Sequence, residues 1–262
     1  MIKLIVFDID GTILNSKKQV LENTRKAFQS LKDKGYKIAI ASGRPPIATK
    51  IKQLNDIEFD YYICSNGTIV VDNNDKVIFK SVFDNDFIEE FTNDCEKDQN
   101  SLLFSFIDGN YSYVNYDIMD RMLLNTVGKE RVLIDDTKNR KRHLIDSSWA
   151  AILIDKNNSA TKYKSKYKEI DFIPFRDNEY DVFHTGYSKA SGIKIICDII
   201  GIKMDNVMSF GDHYNDYEMI RDSGIGIAMS NAVDKVKNIA DYITDSNDND
   251  GVYKCLEKYK II

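Results

Sequence analysis

What this chain of 262 residues lacks narrows the reading first. It has no apolar run approaching the roughly 20 residues that a membrane-spanning helix needs, so no transmembrane segment is expected. The run near the amino end, Leu4 to Phe7, is too short for the core of a secretory signal and leads straight into acidic residues. Positive charge is not in excess: 36 Lys and Arg stand against 41 Asp and Glu, a net charge of -5. That balance argues against nucleic acid or an anionic membrane as the main partner. No Cys-x-x-Cys pair occurs. Cys64, Cys95, Cys197 and Cys255 are scattered singly, as reduced thiols of a cytoplasmic protein would be. Internal repeats and low-complexity segments are also missing. Composition is that of an ordinary soluble protein, long enough for a substantial core in one domain or two.

What is there is organised around Asp8-Ile9-Asp10-Gly11-Thr12, directly after Leu4-Ile5-Val6-Phe7. Four apolar residues in succession read as a strand buried on both faces, as in a parallel sheet. Ligands of such sheets gather outside the carboxyl ends of the strands. Asp8 and Asp10, two apart, project to one side of an extended backbone. Carboxylates this close repel unless a cation or a shared proton intervenes, and a hard, oxygen-seeking ion such as Mg²⁺ is the natural partner. A helix cap or a solvated turn is the plain alternative for the motif alone. An EF-hand does not fit, because the glycine falls at the fourth position rather than the sixth.

From there strand and helix patterns alternate. Val20, Ala27, Phe28 and Leu31 keep helical spacing, with Gly35 as the terminating cap. Tyr36 to Ile40 predicts a second strand ending in Ala41-Ser42-Gly43-Arg44, and Pro45-Pro46 could open a helix. Tyr61 to Cys64 is a third strand, followed by Ser65-Asn66-Gly67, where a turn and a loop near the site are both open readings. Thr68 to Val71 and Lys76 to Lys80 flank a turn, giving a hairpin. After about residue 82 the texture becomes that of a separate α+β domain. A helix over Phe87 to Glu96 and an aromatic hairpin, Leu102 to Ile107 and Tyr111 to Val114, come first. A helix near Ile118 to Val127, a strand at Trp149 to Ile154, a helix over Ala160 to Lys168, and strands at Phe172-Ile173 and Tyr180 to Thr185 follow. The basic run Lys138, Arg140, Lys141, Arg142 and His143 reads as a solvated loop, with a grip on an anionic substrate the lesser reading, and Trp149 as core.

The α/β rhythm returns at Ser188-Lys189. Ile193, Ile196, Cys197 and Ile200 form the buried stripe of a helix that runs into Gly201. Asn206 to Phe210 is the next strand, ending in Gly211-Asp212-His213-Tyr214-Asn215-Asp216, a second acidic cluster at a strand's carboxyl end. Helix over Met219 to Arg221, strand over Gly224 to Ala228, helix over Ala232 to Asn238, extended Tyr242 to Thr244 and a last helix from about Val252 complete the chain. Ser246 to Glu257 imitates a calcium loop loosely, but a polar loop capping the last helix fits better.

Asp8-Ile9-Asp10-Gly11-Thr12, Ser42 in Ala-Ser-Gly-Arg, Lys189 in Ser-Lys-Ala-Ser-Gly, and Gly211-Asp212 through Asn215-Asp216 resemble, in order and spacing, the four motifs of the haloacid dehalogenase superfamily. The large insert between the second and third motifs resembles the type IIB cap of its Cof-like phosphatases. The resemblance implies an α/β, doubly wound Rossmann-like core of residues 1–81 and 186–262, with an inserted α+β cap over 82–185 that acts as a lid. It implies an Mg²⁺-dependent phosphatase of small phosphorylated metabolites, sugar phosphates or pyridoxal phosphate, working through an aspartyl-phosphate. Asp8 would be the nucleophile and Asp10 the general acid and then base. Asp8, the Asp10 carbonyl and Asp212 would hold Mg²⁺. Ile9, Ser42, Gly43, Lys189 and Asn215 would bind phosphate, with Lys189 a point charge, and Asp216 would orient Lys189 or water on the ion. Arg44 could reach towards substrate or cap; His213 reads as a neighbouring surface or substrate-contact residue rather than a base, and His143 and His184 as structural. Two alternatives stay open: a phosphomutase acting on hexose phosphates, and a non-catalytic phospho-ligand binder.

Overall fold

A computed structural model describes residues 1–126 and 132–262. In chain order the elements are β1 (Leu4–Phe7), α1 (Glu22–Asp33), β2 (Lys37–Ala41), β3 (Tyr61–Cys64), β4 (Ile69–Asp72) and β5 (Val77–Lys80). Then come α2 (Asn85–Lys97), β6 (Ser101–Phe106), β7 (Gly109–Val114), α3 (Tyr116–Thr126), β8 (Leu133–Asp135), β9 (Ala150–Ile154), α4 (Ala160–Lys166), β10 (Ile170–Arg176) and β11 (Glu179–His184). The chain closes with α5 (Lys189–Ile200), β12 (Val207–Gly211), α6 (Tyr217–Asp222), β13 (Ile225–Ala228), α7 (Asp234–Lys237), β14 (Tyr242–Ile243) and α8 (Gly251–Lys258). Two compact units result: Met1–Phe79 with Tyr187–Ile262, and Lys80–Gly186. None of the helices among the described residues is long and apolar enough to cross a membrane.

The first unit holds an eight-stranded sheet in the order β14-β13-β12-β1-β2-β3-β4-β5. Pairing is parallel from β14 to β3, and β3 meets β4 antiparallel. Every residue of β1 is buried, so its apolar run serves two cores at once. Leu4 and Val6 point into a cluster with Ile193, Ile196 and Cys197 of α5 and with Met219 and Ile220 of α6. On the opposite face Phe7 stacks on Phe210 and meets the ring of Phe28 edge-on, at centroid distances of 5.1 and 5.0 Å. Helices thus cover both faces of a parallel sheet, the doubly wound plan. From β1 the chain winds outward through β2 and β3, and on its return it winds the other way through β12, β13 and β14. The switch in direction lies between β1 and β12, where their carboxyl ends leave a crevice.

The second unit is a six-stranded sheet, β10-β11-β9-β6-β7-β8, antiparallel except for the β7–β8 pair. One face packs on α2 and α4 through Phe87, Ile88, Phe91, Cys95 and Tyr163, against Phe104, Tyr113 and Phe172. The other face places Leu103 against Met119, Met122 and Leu123 of α3.

Several details depart from the sequence reading. No α-helix follows Pro45-Pro46; two short 3-10 turns, Pro46–Ala48 and Lys52–Leu54, connect β2 to β3 instead. Proline suits the first turn of a helix but does not supply the apolar stripe that would hold a longer one. The basic run is not simply solvated. Arg140 forks onto Glu96, Arg142 lies over the rings of Phe106 and Tyr111, and His143 is buried against the hydroxyl of Tyr113. Strand β8 is short and half-exposed, and no pattern announced it. Of the helix expected near Ile118 to Val127, Val127 lies outside the described residues. Trp149 is fully buried, and the four cysteines are buried free thiols. In the Ser246 to Glu257 segment, Asp248 accepts from the Ser16 amide and Asp250 from Asn23, so this loop docks onto the chain near its start.

One contact shows how closely α5 must approach the sheet. A Cβ built on Gly192 would stand 2.3 Å from Cγ2 of Ile63 in β3. Gly192→Val is therefore expected to destabilise the protein by about 1–3 kcal/mol through overpacking. Denaturant unfolding should show a lower midpoint with an unchanged slope; an unchanged midpoint would contradict this packing.

Candidate active site

The site begins at the crevice between β1 and β12. Asp8 leaves the end of β1, with its backbone N–H donating to the carbonyl of Phe210 on β12 at 3.0 Å. Gly11, at φ +84°, turns the chain back so closely that a Cβ there would lie 2.3 Å from Oδ2 of Asp212. Only a residue without a side chain lets the two acidic loops touch here. Asp212 follows Gly211 at the end of β12 and receives the hydroxyl of Thr12 at 3.1 Å.

Lys189 arrives from the start of α5. Ser188 caps that helix reciprocally with Ser191, and the left-handed Gly201 ends it. A lysine on the first turn opposes the helix dipole, and at 1 % exposure it has also lost its water. Two carboxylates compensate: Nζ donates to Oδ1 of Asp8 and to Oδ1 of Asp216, each at 2.6 Å. Asp216 is fully buried, and both of its oxygens are engaged. Its Oδ2 accepts from the backbone N–H groups of Asp212 and His213 at 2.8 and 2.9 Å, which folds the 212–216 loop around it.

The electrostatics are those of a pocket short of positive charge. Burial pushes the Asp8 carboxyl well above its usual range; Lys189 pulls against that shift while Asp216 and Asp212 add to it. Burial and the Asp216 charge push Asp212 up to about 7, opposed by the Thr12 hydrogen bond and by Lys189. For Lys189 burial works to lower the pKa, but Asp216 and Asp8 outweigh it and the ammonium is held above its ordinary value. Oxygens of Asp8, Asp212 and Asp216 lie within 4.8 Å of one another. Asp216 already accepts three hydrogen bonds, whereas Asp8 accepts one from Lys189 and Asp212 one from Thr12, so these two retain more free lone pairs. An all-oxygen donor set whose carboxyls cling to protons suits a hard divalent cation.

The remaining residues singled out in the sequence take these places. Ser42 and Gly43 follow β2, the parallel neighbour of β1, and the Ser42 amide is held by the carbonyl of Ile63 at 2.8 Å. Ser42 is buried, and its hydroxyl accepts from the Arg44 amide at 3.2 Å. Ile9 is wholly buried, with its carbonyl taken by the Leu14 amide. Asn215 donates to the side chain of Asn66 at 2.9 Å. The Asp10 side chain lies outside the acidic triad and faces two cations. Arg44 Nε reaches its Oδ2 at 2.9 Å, and Lys18 Nζ its Oδ1 at 2.8 Å. Burial would raise the Asp10 carboxyl, but Arg44 and Lys18 together hold it below its usual range. Arg44 thus turns to Asp10, and Lys18 joins it without any sequence signal beyond a lone lysine in a turn. The ring of His213 packs edge-on against Tyr214 at 5.1 Å, and His184 bonds the carbonyl of Val82. Asn66, which the sequence left between turn and site loop, is 8 % exposed and sits beside Gly43.

Comparison with known proteins agrees with this architecture. The family model for haloacid dehalogenase-like hydrolases matches residues 5–256. YkrA of Bacillus subtilis, provisionally named a phosphatase, is 30 % identical over 260 residues, spanning 99 % of this chain and 98 % of its own. YcsE of the same organism, a 5-amino-6-(5-phospho-D-ribitylamino)uracil phosphatase, is 27 % identical over 263 residues, covering 98 % of this chain and 96 % of that protein. The solved structure of a subclass IIB sugar phosphatase, BT4131, superposes with a TM-score of 0.84 at 26 % identity, over 99 % of this chain and 100 % of that one. The chain belongs to the haloacid dehalogenase-like hydrolases and, within them, to the Cof-like phosphatases.

Proposed function

We propose that this chain hydrolyses small phosphorylated metabolites, sugar phosphates among them, with Mg²⁺ and through an aspartyl-phosphate on Asp8. The observation that carries the reading is the buried ammonium of Lys189, 2.6 Å from Asp8 and from Asp216, beside the protonation-prone Asp212. Phosphoryl transfer asks a protein mainly to position groups and to offset charge, and this cluster is arranged for both. Asp8, the Asp10 carbonyl and Asp212 would hold the ion, which when bound supplies positive charge against phosphate and carboxylate.

Asp8 would form a bond from a carboxylate oxygen to phosphorus as the bond from phosphorus to the leaving oxygen breaks. Asp10 would give its proton to that oxygen, then take one from the water that releases inorganic phosphate and restores Asp8. Held by Arg44 and Lys18, Asp10 is set as the base of the second step. Acting as the acid of the first step requires those cations to turn from it. Ser42, the Gly43 amide, Ile9, Asn215 and Lys189 would bind the phosphoryl oxygens, with Asp216 fixing Lys189. We read Lys80–Gly186 as the cap that selects the leaving group. Support comes from its α+β make-up and from the likeness to a subclass IIB sugar phosphatase.

A panel of phosphorylated metabolites, assayed with Mg²⁺ and with chelator, tests this directly. Release of inorganic phosphate is expected only with the ion, and Asp8→Asn should lower turnover by about 10⁴-fold or more, as loss of a covalent nucleophile does. Isomerised hexose phosphate without free phosphate would favour a mutase, and binding without turnover a binder.

The electrostatics give a second test. A carboxyl raised from 3.8 to about 7 binds more protons folded than unfolded. Its contribution to stability is therefore full below pH 4 and is lost as pH rises to about 7. Without divalent ions the melting temperature should fall across that window, and Mg²⁺ should recover more of it at pH 8 than at pH 5. Asp212→Asn should raise the ion-free melting temperature at pH 8 and abolish the recovery. A variant that still responds to Mg²⁺ as the parent does would count against Asp212 as a ligand.

A further inference from the structure

The loop after β3 carries an arrangement that the reaction as described does not use. Ser65, Asn66 and Gly67 all have positive φ, +46°, +54° and +96°. Two successive non-glycine residues in the left-handed region are costly, and such strain persists only where the surroundings impose it. Here they do. The Ser65 amide donates to the carbonyl of Arg44 at 2.9 Å, and the Asn66 amide to the carbonyl of Ser42 at 3.1 Å. The hydroxyl of Thr68 closes the turn on the Ser65 carbonyl at 2.8 Å. The strained turn is thereby stitched, residue by residue, to the Ser42-Gly43-Arg44 loop.

This backbone presents the Asn66 side chain. A Cβ built on Gly43 would lie 3.3 Å from its Oδ1 and 3.5 Å from its Nδ2, and 3.7 Å from Nδ2 of Asn215. Oδ1 of Asn66 accepts from Nδ2 of Asn215 at 2.9 Å. A bond between two carboxamides uses at most one N–H of Asn66, whichever way the amides are turned. At least one N–H is left over on a side chain more than nine-tenths buried, with no acceptor among the described residues. Nδ2 is not sealed from solvent, so the spare N–H beside Gly43 is open to an acceptor that enters the site.

We propose that Asn66 is a further phosphate-contacting residue, whose free carboxamide N–H donates to a non-bridging oxygen of the phosphoryl group while its oxygen holds Asn215 in place. This rests on the phosphatase reading above. Donors pre-aimed at phosphoryl oxygens need no reorganisation when substrate arrives, which gives the strained turn a use.

Two substitutions separate contact from scaffolding. Asn66→Gly removes the side chain and accepts φ +54° without strain, so folding is kept. Asn66→Asp is isosteric and still accepts from Asn215, but it replaces the donor with a negative charge. Each full-length variant would be assayed with Mg²⁺ on p-nitrophenyl phosphate, with inorganic phosphate as competitive inhibitor and thermal unfolding as the control. Asn66→Gly should raise KM and the phosphate inhibition constant about tenfold with the melting temperature unchanged or higher. Asn66→Asp should lower kcat/KM by about 10²-fold, the scale of losing one such donor.

Near-parental kinetics in Asn66→Asp would show that only the grip on Asn215 matters and would overturn the proposal. So would an unchanged phosphate inhibition constant in Asn66→Gly, which decides the matter alone if the aspartate variant unfolds. Asp8→Asn run alongside keeps the two levels apart. Turnover surviving there refutes the phosphatase reading, whereas turnover lost there but intact in both Asn66 variants refutes this inference only.

Discussion

The ammonium of Lys189, taken out of water and shared between Asp8 and Asp216, is the interaction on which the rest of this molecule turns. Burying a lysine costs several kcal/mol unless it is paired at close range. The two 2.6 Å contacts supply that pairing. They also bring together three segments distant in sequence: the end of β1, the first turn of α5 and the loop after β12. Every larger feature of the first unit serves this meeting. The parallel sheet brings the carboxyl ends of β1 and β12 side by side, Gly192 lets α5 lie close on β3, and Gly11 lets the two acidic loops touch.

The same cluster is unbalanced. Two buried acidic groups and a half-buried third meet one buried cation, so Asp8 and Asp212 are pushed towards their protonated forms. If Asp8 is the nucleophile proposed above, it would need more positive charge beside it before it could attack. Low activity without metal is what the proposed mechanism predicts from this geometry. Asp10, by contrast, is held ionised by Arg44 and Lys18. Two aspartates two residues apart therefore have opposite proton affinities, because one is sunk among acids and the other faces cations.

How much of this could be read from the residues alone differed by feature. Leu4 to Phe7 announced a doubly buried strand because both faces of that strand carry a core, and the stripe at Ile193, Ile196, Cys197 and Ile200 announced α5 for the corresponding reason on one face. The acidic cluster was visible because its members end strands. What stayed hidden depends on partners far along the chain. Arg142 and His143 look like part of a solvated basic run until Phe106, Tyr111 and Tyr113 are brought beneath them. Pro45-Pro46 suggested a helix, but its continuation lacks a stripe to pack. Ser65-Asn66-Gly67 has the composition of an ordinary turn; only its bonds to Ser42 and Arg44, far back in the chain, bring it beside that loop.

If Asp8 is the group that Lys189 and its neighbours prepare, phosphate must pass through a covalent bond to that side chain. Turnover with Mg²⁺, stopped by acid within milliseconds and reduced with borohydride, would convert an acyl phosphate to the alcohol and leave a mass change on the peptide bearing residue 8. The account predicts that change at residue 8, dependent on both substrate and ion. A reduced residue elsewhere in the chain, or brisk phosphate release with no modified peptide at all, would contradict it.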